Sequence, residues 1–299
     1  MQPKPSKGDR PFKSVYQRVT EQVLTELDKG TAPWRKGWNA ELGLPRNLES
    51  RKVYHGINTL SLMATALDAG YSTNWWTTLR QANLLGGRIK AGQHGVPVLF
   101  YSRQPEPSPD EDSKNCPVEA TACTHILRVF TVFNIEQTTG LELPLEKPGP
   151  TCEPVELADQ IVKATHIPVR YFGSEAYYEP TRDLITLPPH RCFHSVSEYY
   201  GTLLHETTHG TGHQSRLDRP FGPRGSDAYC WEELVGELGS AMLSVMTGVP
   251  SPNIANMAAY VDSWRTRMQR DARAICEAAA TAQRAVEWLL TTAGLPLPE

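Results

Sequence analysis

Three residues of the segment HETTH have the side chains and the spacing that metal-dependent hydrolysis requires. His205 and His209 are four residues apart, so on an α-helix they share one face and can bind a single tetrahedral ion. Glu206 would point toward the open position of that ion as a general base, which makes it the candidate catalytic residue. The expected ion is one Zn²⁺ per chain, or another divalent ion such as Mn²⁺, because bound zinc acidifies water and polarises a carbonyl. Chance HExxH patterns occur on solvated helices, but apolar residues precede this one and glycines follow it.

The third metal ligand must come from another element, and the segment WEELVGELGSAML at 231–243 is its best source. Glu233 and Glu237 stand one turn apart on one face of the helix that this segment predicts. Glu233 is therefore the predicted third ligand. Glu237 is predicted to orient a ligand histidine by a hydrogen bond, which such sites usually require.

Other residues compete for the third position. Glu232 has Gly236 one turn later and so lacks a partner carboxylate, while Glu237 could itself be the ligand. His213 lies eight residues after His205, which on a continuous helix is about 12 Å along the axis, unless the glycines between them break the helix. A solvated, charged helix face is the alternative interpretation of the glutamates.

The chain around the motif is predicted to alternate helices and short strands. The second half should contain a helix near 155–165, strands around 168–186, a long helix bearing HETTH, a loop at 214–226, and helices near 228–247 and 253–290. The first half should contain helices over 13–28 and 57–67 and two strands, VPVLFYS and HILRVFTVFNIEQ, that pair with each other.

The length of 299 residues predicts two domains, each with its own core. The Pro-rich segment at 145–156 is a better domain boundary than the Pro-rich stretch at 104–118, and it gives domains of 1–145 and 146–299. The acidic stretch 104–118 is too polar and Pro-rich to pack, so it should be a mobile loop, and no role is assigned to it. The predicted fold class is α+β.

Charge and aromatic residues are unevenly distributed along the chain. Residues 1–101 hold 14 Lys and Arg against 7 Asp and Glu, with ten aromatic residues, whereas the remainder is acidic. Cations that follow phosphates and rings that stack on bases are typical of single-stranded nucleic acid binding, although tryptophans usually fill cores. The candidate DNA-binding residues are Trp34, Arg35, Lys36, Trp38, Arg51, Lys52, Tyr54, Trp76, Arg80, Arg88 and Lys90.

Several classes of protein are excluded by composition. No apolar run is long enough to cross a membrane, and no apolar signal core follows the basic N-terminus, which predicts a cytoplasmic protein without a membrane partner. The six cysteines show no CxxC pair and are expected to be reduced thiols rather than ligands.

Both halves resemble one known family. GTAPWRKGW, RNLESRKVYHGIN and GYSTNWWTTLRQANLLGGRIKAGQHG are similar to the single-stranded-DNA-binding domain of ArdC-type antirestriction proteins of conjugative plasmids. AYYEPTRDLITLPP, YYGTLLHETTHGTGHQSRLDR and EELVGELGSA are similar to the zincin-like domain of the same proteins. The resemblance implies a basic α+β DNA-binding domain, a zincin-like metallopeptidase domain, and protection of DNA that enters by conjugation. It also implies that Asp183, Ile185 and Pro188 line an extended substrate.

The activity of the second domain is a separate question, because a site can persist after its activity has gone. One alternative is a DNA binder whose zincin-like domain is purely structural. Another is a metallopeptidase whose DNA-binding domain only directs it to a host protein, such as a restriction subunit. A nuclease or primase is disfavoured, because phosphoryl chemistry with two metal ions requires clustered carboxylates.

Overall fold

The computed structural model describes residues 14–28, 42–105, 123–144, 154–250 and 257–298. Helices and strands alternate along the chain as the predicted α+β class requires, which confirms that class. The first half contains α1 (Val15–Asp28), β1 (Arg46–Asn47), α2 (Ile57–Ala69), β2 (Trp75–Thr78), α3 (Leu79–Leu84), β3 (Arg88–Ile89), β4 (Val96–Pro105), β5 (Cys123–Asn134) and β6 (Thr138–Thr139). The second half contains α4 (Pro154–Ala164), β7 (Val169–Tyr171), β8 (Tyr177–Glu179), β9 (Leu184–Leu187), α5 (Val196–Gly210), α6 (Asp227–Thr247), α7 (Met257–Arg270) and α8 (Ala274–Thr292).

The main sheet of the first half has the strand order β1-β2-β5-β4. The predicted pairing of VPVLFYS with HILRVFTVFNIEQ is confirmed: β4 and β5 are antiparallel, with Val96 opposite Val132. Val96, Val98 and Val132 lie on one face of this pair and pack with Trp76 and Tyr54 in a buried cluster. A second, two-stranded sheet joins β3 to β6.

Local signals set the ends of the elements. α2 ends at Gly70, which takes a left-handed conformation (φ 67°) that glycine adopts without strain. α3 begins with a capping box, in which the Thr78 hydroxyl accepts from the Gln81 backbone and the Gln81 side chain accepts from the Thr78 backbone. α5 begins at Ser195, whose hydroxyl accepts from the backbone of Glu198. These caps fix where α3 and α5 begin.

The second half surrounds α5 with a small sheet and helices. Its sheet has the order β7-β9-β8, so β9 is central and β8 is an edge strand. α6 packs along α5 and is buried over most of its 21 residues. The predicted range 253–290 contains two helices, α7 and α8. They are separated by a turn in which the side chain of Asp271 accepts a hydrogen bond from the backbone of Arg273.

The halves share a hydrophobic core, where separate cores were expected. Val19 of α1, Leu60 of α2 and Leu99 of β4 belong to the same buried cluster as Leu238 of α6 and Trp264 of α7. Polar contacts cross at the same place: the Thr20 hydroxyl donates to the carbonyl of Ala272 (2.8 Å), and the Gly56 amide donates to Gln283 Oε1 (3.2 Å).

Two predicted segments lie largely outside the described residues. β4 extends through Pro105, so the strand takes the first residues of the predicted loop at 104–118, and the rest of that loop is not described. Most of the boundary segment 145–156 is also outside, except for the start of α4. In the described parts of the chain, no helix combines the length and apolar character needed to cross a bilayer.

Candidate metal centre

His205 and His209 occupy successive turns of α5 and meet at their Nε2 atoms. The two Nε2 atoms are 3.0 Å apart, and both residues are buried, with exposed fractions of 2% and 6%. The rings are nearly perpendicular. Two imidazole nitrogens that meet at this distance are suited to sharing a cation.

Glu233 of α6 completes a set of three ligand atoms. Its Oε2 is 3.8 Å from His205 Nε2, and its Oε1 is 4.0 Å from His209 Nε2. Ligand atoms around a tetrahedral ion with bonds of about 2.0–2.2 Å are separated by roughly 3.3–3.6 Å. The observed separations bracket that range, so these residues fit a small divalent ion. His213 does not join them, since its Nδ1 lies 2.8 Å from the Ser215 hydroxyl.

Charge on the carboxylates also suits a cation. Burial opposes the ionised form of Glu233, but its contacts with His205 and His209 lower the pKa of Glu233 to about 2. Glu233 is therefore an anion at neutral pH, able to balance the charge of a bound ion.

The carboxylate that orients a ligand histidine belongs to Glu232, which corrects the prediction made for Glu237. Glu232 Oε1 lies 3.0 Å from His209 Nδ1. Nδ1 of His205 has no hydrogen-bond partner among the described residues, so Glu237, although buried, orients neither ring by this contact. The reason is that Gly236, rather than Glu237, lies over the rings in the next turn of α6.

Gly236 is required by this close packing. A Cβ at that position would lie 2.6 Å from Cε1 of His209 and 3.0 Å from Cε1 of His205. In the sequence, Gly236 is only the position at which Glu232 lacks a partner carboxylate one turn later. In the structure it allows α6 to approach α5 closely enough for Glu232 and Glu233 to reach the histidines.

Glu206 is buried beside the histidines and lines a cavity of about 720 Å³. Burial raises the pKa of Glu206, while the neighbouring histidines and a hydrogen bond from the Tyr178 backbone act in the opposite direction. A carboxylate whose proton affinity is raised in this way is suited to accept a proton inside the cavity. Tyr229 and Tyr260 line the same cavity, with hydroxyl oxygens 3.4 Å apart.

The strand that borders the cavity differs from the one predicted. Ile185 is fully buried in β9, the central strand, whose two edges are already paired with β7 and β8. Asp183 binds Arg216 in an ion pair, and Pro188 alone of the three predicted residues lines the cavity. The edge strand β8 packs against α5 and supplies Tyr177 and Tyr178 to the lining.

The first half has a second cavity, of about 1460 Å³, which we call the basic groove. Phe100 and Phe130 lie on its wall, exposed by 44% and 42%, with ring centroids 5.5 Å apart. Glu49 also borders it. Its lining includes the cations and rings Arg46, Arg51, Lys52, Arg80, Tyr54, Phe100 and Phe130.

The predicted DNA-binding residues divide into four groups. Arg51, Lys52 and Arg80 are exposed in the basic groove. Trp76 is fully buried and Tyr54 is 4% exposed, because both pack in the core against β4. Neither ring is available to stack on a base, so the prediction that these two residues bind DNA is corrected. Arg88 and Lys90 are exposed but do not line the groove. Trp34, Arg35, Lys36 and Trp38 form the fourth group, which lies outside the described residues.

Comparisons with known proteins place each half in a family. Residues 13–133 match the model of the N-terminal domain of anti-restriction factor ArdC, and residues 156–281 match a zincin-like metallopeptidase model. An uncharacterised protein of Sinorhizobium fredii, y4eC, is 34% identical over 279 residues, with 92% of this chain and 91% of that protein covered. DNA primase TraC of Escherichia coli is 36% identical over 293 residues, which are 93% of this chain but 27% of TraC.

Solved structures of similar sequence cover nearly the whole chain. The Mn(II)-bound crystal structure of antirestriction protein ArdC from plasmid R388 is 35% identical, with a TM-score of 0.76 over 94% of this chain and 98% of that one. The metal-free structure of the same protein is 36% identical, with a TM-score of 0.77 over 95% of this chain and 100% of that one. Fold and comparisons thus define a protein in which an ArdC N-terminal domain precedes a zincin-like metallopeptidase domain. The chain belongs to the ArdC family of antirestriction proteins.

Proposed function

We propose that this protein protects single-stranded DNA that enters by conjugation, and that it binds one divalent ion through His205, His209 and Glu233. The observation that carries the metal proposal is the convergence of the buried His205 and His209 with the half-buried Glu233 on one point. The relative from plasmid R388, whose crystal structure is Mn(II)-bound, supports it.

The donor set favours zinc but also accommodates manganese. Two imidazoles and one carboxylate form a common zinc set, while Mn²⁺ readily takes mixed nitrogen and oxygen ligands. We propose Zn²⁺ as the resident ion, one per chain. Metal analysis of the protein purified without added metal tests this: manganese in place of zinc would change the ion and leave the site unchanged.

The second half is proposed to have peptidase-like chemistry. When bound, the ion would polarise a carbonyl and acidify water. Glu206 is positioned to accept a proton and to pass it to a leaving amine. β8 is an edge strand beside the cavity, so an extended peptide such as a segment of a host protein could lie along it.

The basic groove is the proposed site for single-stranded DNA. Its cations can follow phosphates, and Phe100 and Phe130 can stack on bases of any sequence. Charge reversal in the groove, Arg51→Glu with Lys52→Glu, should weaken binding of a single-stranded oligonucleotide and reduce its salt dependence. The matched control is Arg270→Glu with Arg284→Glu in the full chain, two exposed cations of the second half that belong to neither proposed site. An equal or larger loss in that control would move the DNA site away from the groove.

We propose that protection depends on coating the DNA rather than on hydrolysis. The reason is that the groove supplies a mechanism independent of sequence, for which occupancy is sufficient. Glu206→Gln tests the choice, because glutamine cannot accept the proton but preserves the shape of the site. It should keep the metal and lose any hydrolysis while antirestriction stays near normal. Loss of protection with normal DNA binding would favour the alternative, a metallopeptidase directed to a host restriction subunit.

A primase function is not proposed for this chain. TraC is named a DNA primase, but the region of TraC that matches this chain is 27% of its length. Within the residues that the structure describes, the converging set is two histidines with one glutamate, whereas phosphoryl transfer assisted by Mg²⁺ relies on carboxylates and substrate phosphates.

A further inference from the structure

Arg219 lies buried behind the metal centre, outside the set of residues that touch the cavity. Its side chain is 7% exposed, and it binds Glu232 with two parallel contacts, Nε to Oε2 at 3.0 Å and Nη2 to Oε1 at 2.6 Å. The guanidinium also donates to the Thr211 hydroxyl (2.6 Å) and to the carbonyl of Thr208 (2.8 Å). A forked contact of this kind fixes both the position and the plane of the carboxylate.

Glu232 transmits this constraint to a metal ligand. Both carboxylate oxygens of Glu232 accept hydrogen bonds from the Arg219 guanidinium, so Arg219 fixes which oxygen faces His209. Glu232 Oε1 lies 3.0 Å from His209 Nδ1, and a hydrogen bond at that atom favours the tautomer with the proton on Nδ1. The Nε2 lone pair is left directed at His205 and Glu233.

We infer that Arg219 is a positioning residue of the metal centre, which fixes the tautomer and ring orientation of His209 by holding Glu232 in place. The inference rests on the proposed metal function and deepens it. It makes the loop after α5 part of the metal site, although no residue of that loop is a ligand.

The loop is built to hold Arg219 where it lies. Backbone amides of Leu217 and Arg219 donate to the carbonyls of Thr211 (3.0 Å) and Gly212 (2.9 Å), which folds the chain back on the end of α5. Gly212 leaves room for the guanidinium, because a Cβ there would lie 2.9 Å from Nη2 of Arg219. Lysine could not replace this fork, since one ammonium cannot reach both carboxylate oxygens and the α5 carbonyl in a fixed plane.

The test is the affinity of the full chain for Zn²⁺ and Mn²⁺, measured by competition with a chromophoric chelator. Arg219→Met, Arg219→Lys and Glu232→Gln should each weaken binding by about 10- to 100-fold, as loss of an orienting partner does in other sites. Arg219→Lys with Glu232→Gln should weaken it no further than the stronger single change, because both act through His209. If Arg219→Met does not fold, the lysine variant decides the matter.

The matched control is Arg216→Lys, in the same loop but paired with Asp183 instead of Glu232. It should lower thermal stability while metal affinity stays within about threefold. Nitrogen-15 shifts of the His209 ring should show the Nδ1–H tautomer in the unaltered protein and in Arg216→Lys, and a mixture in Arg219→Lys. Unchanged metal affinity and unchanged His209 nitrogen-15 shifts in Arg219→Lys would overturn the inference about Arg219 but leave the metal proposal standing. Failure of the unaltered protein to bind either ion would overturn the metal proposal itself.

Discussion

Gly236 of α6 faces the His209 ring so closely that a Cβ built on it would lie 2.6 Å from Cε1 of that ring. Folded proteins do not contain such contacts, so a side chain at Gly236 must displace the imidazole or the helix. Metal sites tolerate only a few tenths of an ångström in ligand position. Gly236→Ala should therefore weaken divalent metal binding at least about tenfold, as measured by chelator competition.

Gly239, one turn further along α6, is the matched control for that change. A Cβ there would lie 2.6 Å from Cγ2 of Thr208, which is packing rather than ligation. Gly239→Ala should lower the melting temperature and retain metal affinity. Equal metal affinity in the Gly236→Ala and Gly239→Ala proteins would show that the close approach is irrelevant to the ion.

Metal removal should lower the stability of the whole chain. An ion that binds only the folded state contributes about 2.7 kcal/mol at 100 times its Kd, which for a chain of this size is a shift of several degrees in melting temperature. Scanning calorimetry with and without a chelator measures it. The double variant His205→Ala, His209→Ala should show no such shift, and stoichiometric metal in that variant would contradict the assigned ligands.

The rings of the basic groove should contribute to DNA affinity without carrying sequence preference. Each stacked base is worth about 1–3 kcal/mol, so Phe100→Ala with Phe130→Ala should weaken binding of single-stranded oligonucleotides roughly tenfold or more. Leu85→Ala is the control, because Leu85 is 47% exposed in the same half and does not line the groove. Fluorescence anisotropy at fixed salt gives both affinities. Similar losses from both changes would argue against stacking.

Asp183 should make stability depend on pH in the acid range. Burial raises the pKa of its carboxyl, but hydrogen bonds and charge from Arg216, with a hydrogen bond from the Tyr178 hydroxyl, outweigh burial and lower it. A depressed folded-state pKa gives stability that is present above the unfolded value of about 3.9 and is lost as pH falls through the folded value.

Asp183→Asn is the variant that isolates this contribution. Asparagine tolerates the left-handed backbone at this position (φ 49°), so the change removes charge without adding strain. The variant should be less stable than the unaltered protein at pH 7, and the two unfolding curves in urea should converge as the pH falls below about 4. A difference that persists unchanged at low pH would show that the carboxylate charge is not responsible.

The sequence predicted those parts of the site that depend on a single helix. Helical spacing brings His205, Glu206 and His209 together, and the structure places Glu233 with them. The orienting carboxylate depends on how closely α6 approaches α5, which is decided by Gly236 and cannot be read from spacing within α6. Arg219 had no sequence signal beyond its place ten residues after His209.

The first half was predicted less well, for a physical reason. A ring beside cations in the sequence can point to either face of its strand, and Trp76 points into the core. Phe100 was overlooked although its strand was predicted, because exposure depends on which face other elements cover. Likewise, the central position of β9 follows from strand order, which no local pattern specifies.

The hydrophobic cluster shared by α1, α2, β4, α6 and α7 joins the two halves through a common core. Because the two halves bury apolar surface against each other, an ion bound in the second half should also stabilise the first half, to the extent that the two unfold together. Loss of the metal should then lower the stability of the basic groove, even when no peptide is cut.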